Sequence, residues 1–574
     1  MTVAREQSFM KALFHGVIAE DMVSPYPLPT VRERDAVGRL LEGLRRLAAD
    51  HVDSLSIDRD AAIPPEVFAE LRRLGVFGLT VPEELGGLGL GWSAAARVLA
   101  ELGAIDQSIA VIVSAHVCLG MNAILAFGND EQKRRLLPKL ASGERIAAFA
   151  LTEVGAGSDA SALRTRAELA PDGAGFVIKG KKAWISNAGI ADVFVVFART
   201  DSEAGHPRIC GFVVEKTHGV TASPDVPICG VRGLSTGSIT FEDVKVPARN
   251  LLGEYGRGYP LAMRVLNWGR IGMASTCVGG LRRVVKLATE LAVQRRAFGR
   301  NVGEFGQTKD KVARMGADLY ALESMVFLTT GLMDAKVEDF ILEAAICKIF
   351  ASEAFVAHSD ALARLAGAHG FVRGEPYERL QREARVHLVL AGTNEILLAF
   401  LALAGMQSPG KKLLEVEKAM REPIKGFGLL TDFAVKRART AFGRERVANA
   451  HPLLRAEAVL VEYGVTGLAR EVERVLRKHG TAIAGKQFVQ RRIAEVAIDL
   501  YALIAIVSRT SLLVDQKGED GARRELDVTA AFCQLAEVRL RDRIDRMERD
   551  TDELLKHVAQ RAYDDGGFPF DVLR

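Results

Sequence analysis

Along residues 312–325 the apolar positions Val312, Met315, Leu319, Leu322 and Met325 recur at steps of three and four. That spacing sets them on one face of a helix. Helical texture also covers residues 31–145, where "PPEVFAELRRLGVFGL" places Pro64-Pro65 at a helix start and Gly75 near its end. From about Ala147 the period changes. "GFVIKGKKAWIS", "DVFVVFART", "ICGFVVEK" and "SITFEDVKV" read as strands, joined by turns such as "PDGAG". This β texture ends near Pro260 and helical periodicity returns, broken at "SPGKK" (408–412), which reads as a boundary. The order predicts an α+β multidomain chain. Its units are an N-terminal helical domain (1–146), a middle β domain (147–260), a helical bundle (261–407) and a C-terminal helical extension (408–574).

Composition narrows the function classes. A chain of 574 residues exceeds one ordinary core, which fits several units. With 48% hydrophobic and 26% charged residues, the balance is that of a soluble globular protein. The formal net charge of +4 is small for this length and gives no signal for nucleic acid. Six scattered cysteines without a CxxC pair argue against a metal site or a disulfide framework, and for a reducing, cytoplasmic location. The opening residues mix acids and bases and do not read as a targeting signal. Residues Ile109 to Phe127 carry no formal charge and reach the minimum membrane span. Ser114, His116, Gly120 and Asn122 interrupt them, so a buried helix pair is the expectation.

One local charge bias stands out. Residues 436–492 hold thirteen Lys or Arg against five Asp or Glu, a net +8 that exceeds the whole chain's +4. Within 467–492 these bases interleave with Leu468, Val472, Val475, Leu476, Ile483 and Val489. Such a segment is expected either to lie peripherally on an anionic membrane or to pack on the bundle with its charges solvated.

Four motifs carry chemistry. "LTEVGAGSDASALRT" (151–165) and "KAWISNAGIAD" (182–192) are followed by "QRRAFG" (294–299) and "REARVHLVLAGTNEI" (382–396). In this order, on this background, they resemble the acyl-CoA dehydrogenase family over nearly the whole chain. "EDMVSPYPL" near the start and the long C-terminal extension resemble its very-long-chain branch. The resemblance implies FAD as cofactor, a homodimer, and an electron acceptor such as electron-transfer flavoprotein. It implies oxidation of long-chain acyl-CoA thioesters to trans-2-enoyl-CoA, as in fatty acid β-oxidation. Carried over by position, Thr152 and Ser158 would bond polar edges of the flavin or ligand, Trp184 would pack on the flavin ring, and Ser186 would bond near it. Arg295 and Phe298 would hold the adenosine-diphosphate end of FAD across a subunit interface. Thr393, with Glu395 nearby, would contact its diphosphate or ribitol region, and Arg270 in "NWGRIGM" would stand beside the reacting atoms.

The departures fall at the chemistry itself. In the family a glutamate directly before Gly-Thr removes the α-proton; here that position is Ala391. A minority of relatives carry the glutamate on an earlier helix, at the position of Gly269. Neither residue has a carboxylate. Losing a general base costs ~10²–10⁴-fold in rate, although the Ala391 N–H still suits a thioester oxygen. In "ALARLAGAHGF" (361–371) Gly367 matches the family's glycine pair, while Arg364 replaces a glutamine and Ala368 the second glycine. These coincident changes point to divergence rather than deliberate replacement. His387, four residues before Ala391, is expected to be a core histidine, and Glu83 and Glu84 to be loop charges. Two other readings stay open: a non-catalytic acyl-CoA or FAD-binding or assembly protein, and a flavin oxidase or monooxygenase.

Overall fold

A computed structural model describes residues 8–171, 173–200, 208–421 and 446–570. Helices fill the N-terminal unit. Val31–His51 opens on a capping box, in which Thr30 and Glu33 satisfy each other's backbone N–H. Pro65–Arg73 starts on its proline, and Gly75 follows in the left-handed region at φ +73°. The expected helix pair over 109–127 is corrected. Gln107–Ser114, a π-helical turn at Ala115–Gly120, and Met121–Phe127 form one uninterrupted helical run. By length and apolarity that run could cross a membrane, as could Gln487–Gly521, but 83% of the apolar window in each is buried inside the protein.

The four strand runs read from the sequence lie in one eight-stranded sheet. Its strands are β1 (Ala147–Ala150), β2 (Arg166–Leu169), β3 (Gly175–Ser186), β4 (Val193–Thr200), β5 (Arg208–Glu215), β6 (Thr221–Ala222), β7 (Thr236–Pro247) and β8 (Leu251–Leu252). They are ordered β6–β7–β3–β2–β4–β5–β8, with β1 beside β4. β3 and β7 pair antiparallel from Gly175↔Pro247 to Ser186↔Thr236. A bulge between Lys182 and Ile185 interrupts that ladder.

The bundle consists of Gly258–Gln294, Gly306–Asp334, Ile341–Ala366 and Asn394–Arg421. Met315, Leu322 and Met325 are fully buried, as their spacing predicts, and Val312 and Leu319 pack against the same core. The break expected at "SPGKK" does not occur. Pro409 sits inside the helix Asn394–Arg421, which packs along Gln487–Gly521. Tertiary packing outweighs the local cost of the proline here.

Among the described residues four further α-helices follow: Arg455–His479, Gln487–Gly521, Arg523–Asp545 and Thr551–Asp564. They show where the apolar positions of 467–492 go. Leu468, Val472 and Val475 are fully buried, Ile483 and Val489 nearly so, and Leu476 packs on the same core. The apolar side of this segment therefore faces protein. Most of its bases are paired as well: Arg474, Lys478 and His479 converge on Glu548, and Arg470 and Arg474 meet Glu471. Residues 436–445 of the basic stretch lie outside the described residues.

The N-terminal segment stitches this extension to the bundle. Ser8 Oγ and the Met10 N–H donate to Glu343 Oε1 at 2.8 and 2.9 Å. The Phe9 ring lies 6.4 Å from that of Tyr501. Phe14 presses on Gly405, where a Cβ would come within 2.2 Å of its ring, so only glycine fits. Glu20 then accepts from the N–H groups of Ala448 and Asn449.

Candidate active site

The described contacts gather the expected site residues into three groups. The first lies at the edge of the sheet. Glu153 accepts from the N–H groups of Arg164 and Thr165, at 2.6 and 3.0 Å, which folds "TEVGAGSD" back on itself. Lys182 Nζ, fully buried, donates to Glu153 Oε1 at 2.8 Å and to the Leu151 carbonyl at 3.0 Å. Burial lowers the Lys182 pKa to about 8. Burial also opposes charge on Glu153, but hydrogen bonds and the charge of Lys182 hold its carboxyl below the usual range. The Ala183 N–H donates to the Thr152 carbonyl at 3.0 Å, which brings the first two motifs together.

At the β3 bulge Trp184 takes a left-handed φ of +55° and turns its side chain out of the sheet, 52% exposed. Bulges re-aim side chains in this way next to ligand sites. Ser186 is half-buried and Ser158 exposed. Beyond Gly155 and Gly157, nothing lies within 4 Å of where a Cβ would sit. An exposed indole beside an open glycine loop fits a flat ring such as a flavin.

The second group lies where Gly258–Gln294 ends. Arg295 Nη1 donates to the Leu365 carbonyl, and its guanidinium lies against Gly367, which has a φ of +66°. Phe298 and Phe371 project outward, 94% and 93% exposed. Arg364 pairs with Asp360 at 2.9 Å on the exposed side, and Ala368 is also exposed.

The third group is the loop after helix Pro376–Val386, and it is anchored from several sides. Arg382 pairs with Asp58 and Glu378 and donates to the Cys229 carbonyl. Arg379 meets Asp106 and Glu383. Beneath the loop, buried Lys348 donates to the Leu388 carbonyl (3.0 Å), the Gly392 carbonyl (2.8 Å) and Asn394 Oδ1 (2.6 Å). Burial lowers its pKa to about 7. Held this way, Ala391 adopts φ +55° and Gly392 φ +101°. The Ala391 N–H donates to no acceptor among the described residues.

Arg270 reaches this loop from Gly258–Gln294. Its Nε donates to the Ala391 carbonyl at 3.3 Å and its Nη1 to Asn267 Oδ1 at 2.7 Å. Burial lowers its pKa to about 10. Thr393 is half-buried beside it in the loop, and Glu395 is exposed. Neither Gly269 nor His387 offers a base. A Cβ at Gly269 would lie 2.4 Å from Leu119, a side chain of the π turn. His387 is fully buried with Nε2 on Gln107 Oε1 at 3.0 Å. Burial, reinforced by Lys348, lowers its pKa to about 3, so it stays neutral. Glu83 and Glu84 are exposed, and Glu83 pairs with Arg32.

Lys182, Lys348 and Asn394 position these groups and were not picked out from the sequence. Lys348 had a readable signal: it is a single cation in the apolar run "AAICKIFASEAF".

Family models match four consecutive parts of the chain. They are Acyl-CoA dehydrogenase, N-terminal domain (37–144), middle domain (148–244) and C-terminal domain (256–406), then ACAD9/ACADV, C-terminal domain (452–568). The chain is 37% identical to the human very long-chain specific mitochondrial acyl-CoA dehydrogenase, covering 95% of this chain and 85% of that one. A probable acyl-CoA dehydrogenase of Bacillus subtilis is 32% identical over 81% of this chain and 78% of its own length. Among solved structures, an acyl-CoA dehydrogenase complexed with FAD from Bacillus anthracis superposes with a TM-score of 0.80, at 27% identity, over 95% of this chain and 94% of that one. The butyryl-CoA dehydrogenase of Megasphaera elsdenii covers only 65% of this chain, with 98% of its own, at a TM-score of 0.62 and 31% identity. That shorter match and the fourth family model both set the C-terminal extension apart. The chain is an FAD-dependent oxidoreductase fold of the acyl-CoA dehydrogenase family and belongs to its very-long-chain branch.

Proposed function

We propose that this chain binds long-chain acyl-CoA against FAD, and that its α,β-dehydrogenation is slowed or abolished by the missing carboxylate at Ala391. The observation that carries this reading is the loop itself. Arg270, Lys348 and Asn394 hold it in place, and its free N–H suits a thioester oxygen. No acid lies within ion-pair distance of Arg270 among the described residues. The chemistry FAD supplies when bound is acceptance of a hydride from the β-carbon. Thr152, Ser158, Trp184 and Ser186 would hold its ring, and Thr393 with Glu395 its ribitol or diphosphate.

The partners follow the same reading. A homodimer would let Arg295, Phe298, Arg364 and Gly367 of one protomer meet the adenosine end of the other's cofactor. The nearly full exposure of Phe298 and Phe371 supports that arrangement. Electron-transfer flavoprotein is the proposed acceptor.

The test is the visible spectrum of the purified protein during anaerobic addition of a long-chain acyl-CoA. Bleaching of the flavin band within seconds means that dehydrogenation survives at full strength and sinks the proposal of a crippled site. A spectral shift with slow or no bleaching supports it. The binding-only role shares that second outcome, and substitution at Ala391 separates the two.

A further inference from the structure

Among the described residues Arg270 is the buried arginine that lacks a counter-charge. Arg379 has Asp106 and Glu383, Arg492 has Asp552, and Arg509 has Glu323. Arg270 is 7% exposed and bonds only to neutral oxygens, those of Asn267 and Ala391. Its Nη2 has no hydrogen-bond partner among the described residues and lies 4.0 Å from where a Cβ on Gly392 would sit. The ring of Phe400, 5.7 Å from its guanidinium carbon, supplies weak compensation. The other buried charge at the loop, Lys348, is also a cation and is committed to three acceptors of its own. A guanidinium does not shed its proton in a protein. A desolvated cation with a free donor beside the Ala391 loop draws an anion to itself.

We propose that Arg270 and the loop at Ala391 form a binding site for a carboxylate. The carboxylate comes either from a small free acid or from the substrate, carried on the carbon next to the thioester. Stereochemistry favours this class over phosphate or sulfate: the side chain of alanine plus acetate reproduces the carbon and oxygen atoms of glutamate. Arg270 Nη2 is the donor that meets the anion, which leaves the Ala391 N–H for the thioester oxygen. With a free acid in place, proton transfer is balanced without any oxidant. The α C–H bond breaks, an O–H bond forms on the acid, and the electron pair remains on the thioester as its enolate. The site itself rests on Arg270; only its role in proton transfer rests on the acyl-thioester reading above.

The experiment uses the full-length protein. Thermal unfolding and calorimetric titration with sodium formate and sodium acetate are compared with chloride at equal ionic strength. The wild type is expected to show saturable, carboxylate-specific stabilisation. Arg270→Gln and Ala391→Glu should each weaken it roughly tenfold or more, the first by removing the donor and the second by filling the place. Ala391→Glu keeps the arginine, so it decides the matter if Arg270→Gln fails to fold. Two further arms separate the sources. If the acid is free, acetate accelerates α-deuterium washout from a long-chain acyl-CoA in the wild type and not in Ala391→Glu. If the substrate carries it, a long-chain 2-carboxyacyl-CoA binds at least tenfold tighter than the plain thioester, and Ala391→Glu reverses that order. An equal response to carboxylate and chloride, with no preference for the carboxylated thioester, overturns the site. Failure to bind either thioester with the acetate response intact overturns the acyl-CoA reading and leaves the site standing.

Discussion

Lys182 and Arg270 are each buried beside a motif-bearing loop, and of the two only Lys182 has its anion. Lys182 meets Glu153 at 2.8 Å, and that carboxylate also caps two backbone N–H groups, so charge and hydrogen bonding close on each other. Arg270 sits equally deep beside Ala391 with amide oxygens alone. Everything else that positions the second loop is in place: the three bonds from Lys348, the Asn394 side chain on Ser352 and Glu353, and the anchors of Arg379 and Arg382. The comparison teaches that shaping a loop and supplying its charge are separable jobs. At Glu153 one side chain does both. At 391 the scaffold does the shaping, so the side chain can change without unravelling the loop.

The largest effect should come from making the second site like the first. Ala391→Glu supplies Arg270 with a carboxylate, and stopped-flow reduction of the flavin by long-chain acyl-CoA should rise ~10²–10⁴-fold. An unchanged rate with flavin properly bound would mean that the two loops differ by more than one side chain. The converse change makes the first site like the second. Glu153→Ala leaves Lys182 as a buried cation without a counter-charge and strands two N–H groups, a loss of ~3–5 kcal/mol in denaturant unfolding. A loss under ~1 kcal/mol would show that the sheet tolerates an unpaired Lys182 as the bundle tolerates Arg270.

How far these residues could be read in advance depends on whether their partners are local. Periods of two and of three to four gave every main strand and the apolar face of Gly306–Asp334, because those patterns need no knowledge of distant chain. The motif residues around Trp184 and Ala391 were legible as types in order. The outward turn of Trp184 was not, because it depends on a bulge set by the pairing of β3 with β7. Lys182 was hidden for the same reason: the bulge puts it on the inner side with Ala183 next to it also buried. Leu119 closing over Gly269, and helix Asn394–Arg421 passing through Pro409, are decided by elements far away in sequence. The basic stripe of 467–492 left two readings open because a solvated charged face looks the same from sequence whether its apolar side meets lipid or protein.

A smaller effect tests the second group of site residues, around Arg295. Arg295→Ala removes both the proposed phosphate contact and the bond to the Leu365 carbonyl that steadies the Gly367 turn. FAD retention, measured by equilibrium dialysis, should weaken roughly tenfold, while the fold keeps its unfolding midpoint. The smallest is a slope in pH. The Lys348 pKa is lowered from 10.5 to about 7, so between those values the unfolded chain holds a proton that the folded one does not. Stability should therefore rise as pH increases from about 7 toward 10. Lys348→Met should flatten that slope without abolishing it, because Lys182, lowered to about 8, contributes in the same direction. An unchanged slope would place the loop's lysine outside the titrating set.

The stitch made by Phe9, Met10 and Phe14 imposes an order on synthesis. Phe9 rests against Tyr501, and Met10 bonds Glu343, so this segment's partners are made hundreds of residues after it. At ordinary translation speeds roughly 25–100 s separate Phe9 from Tyr501. Throughout that interval this apolar segment lacks the surfaces it rests on in the finished fold. The contacts that tie the bundle to the extension through this segment can thus form only after residue 501 is made.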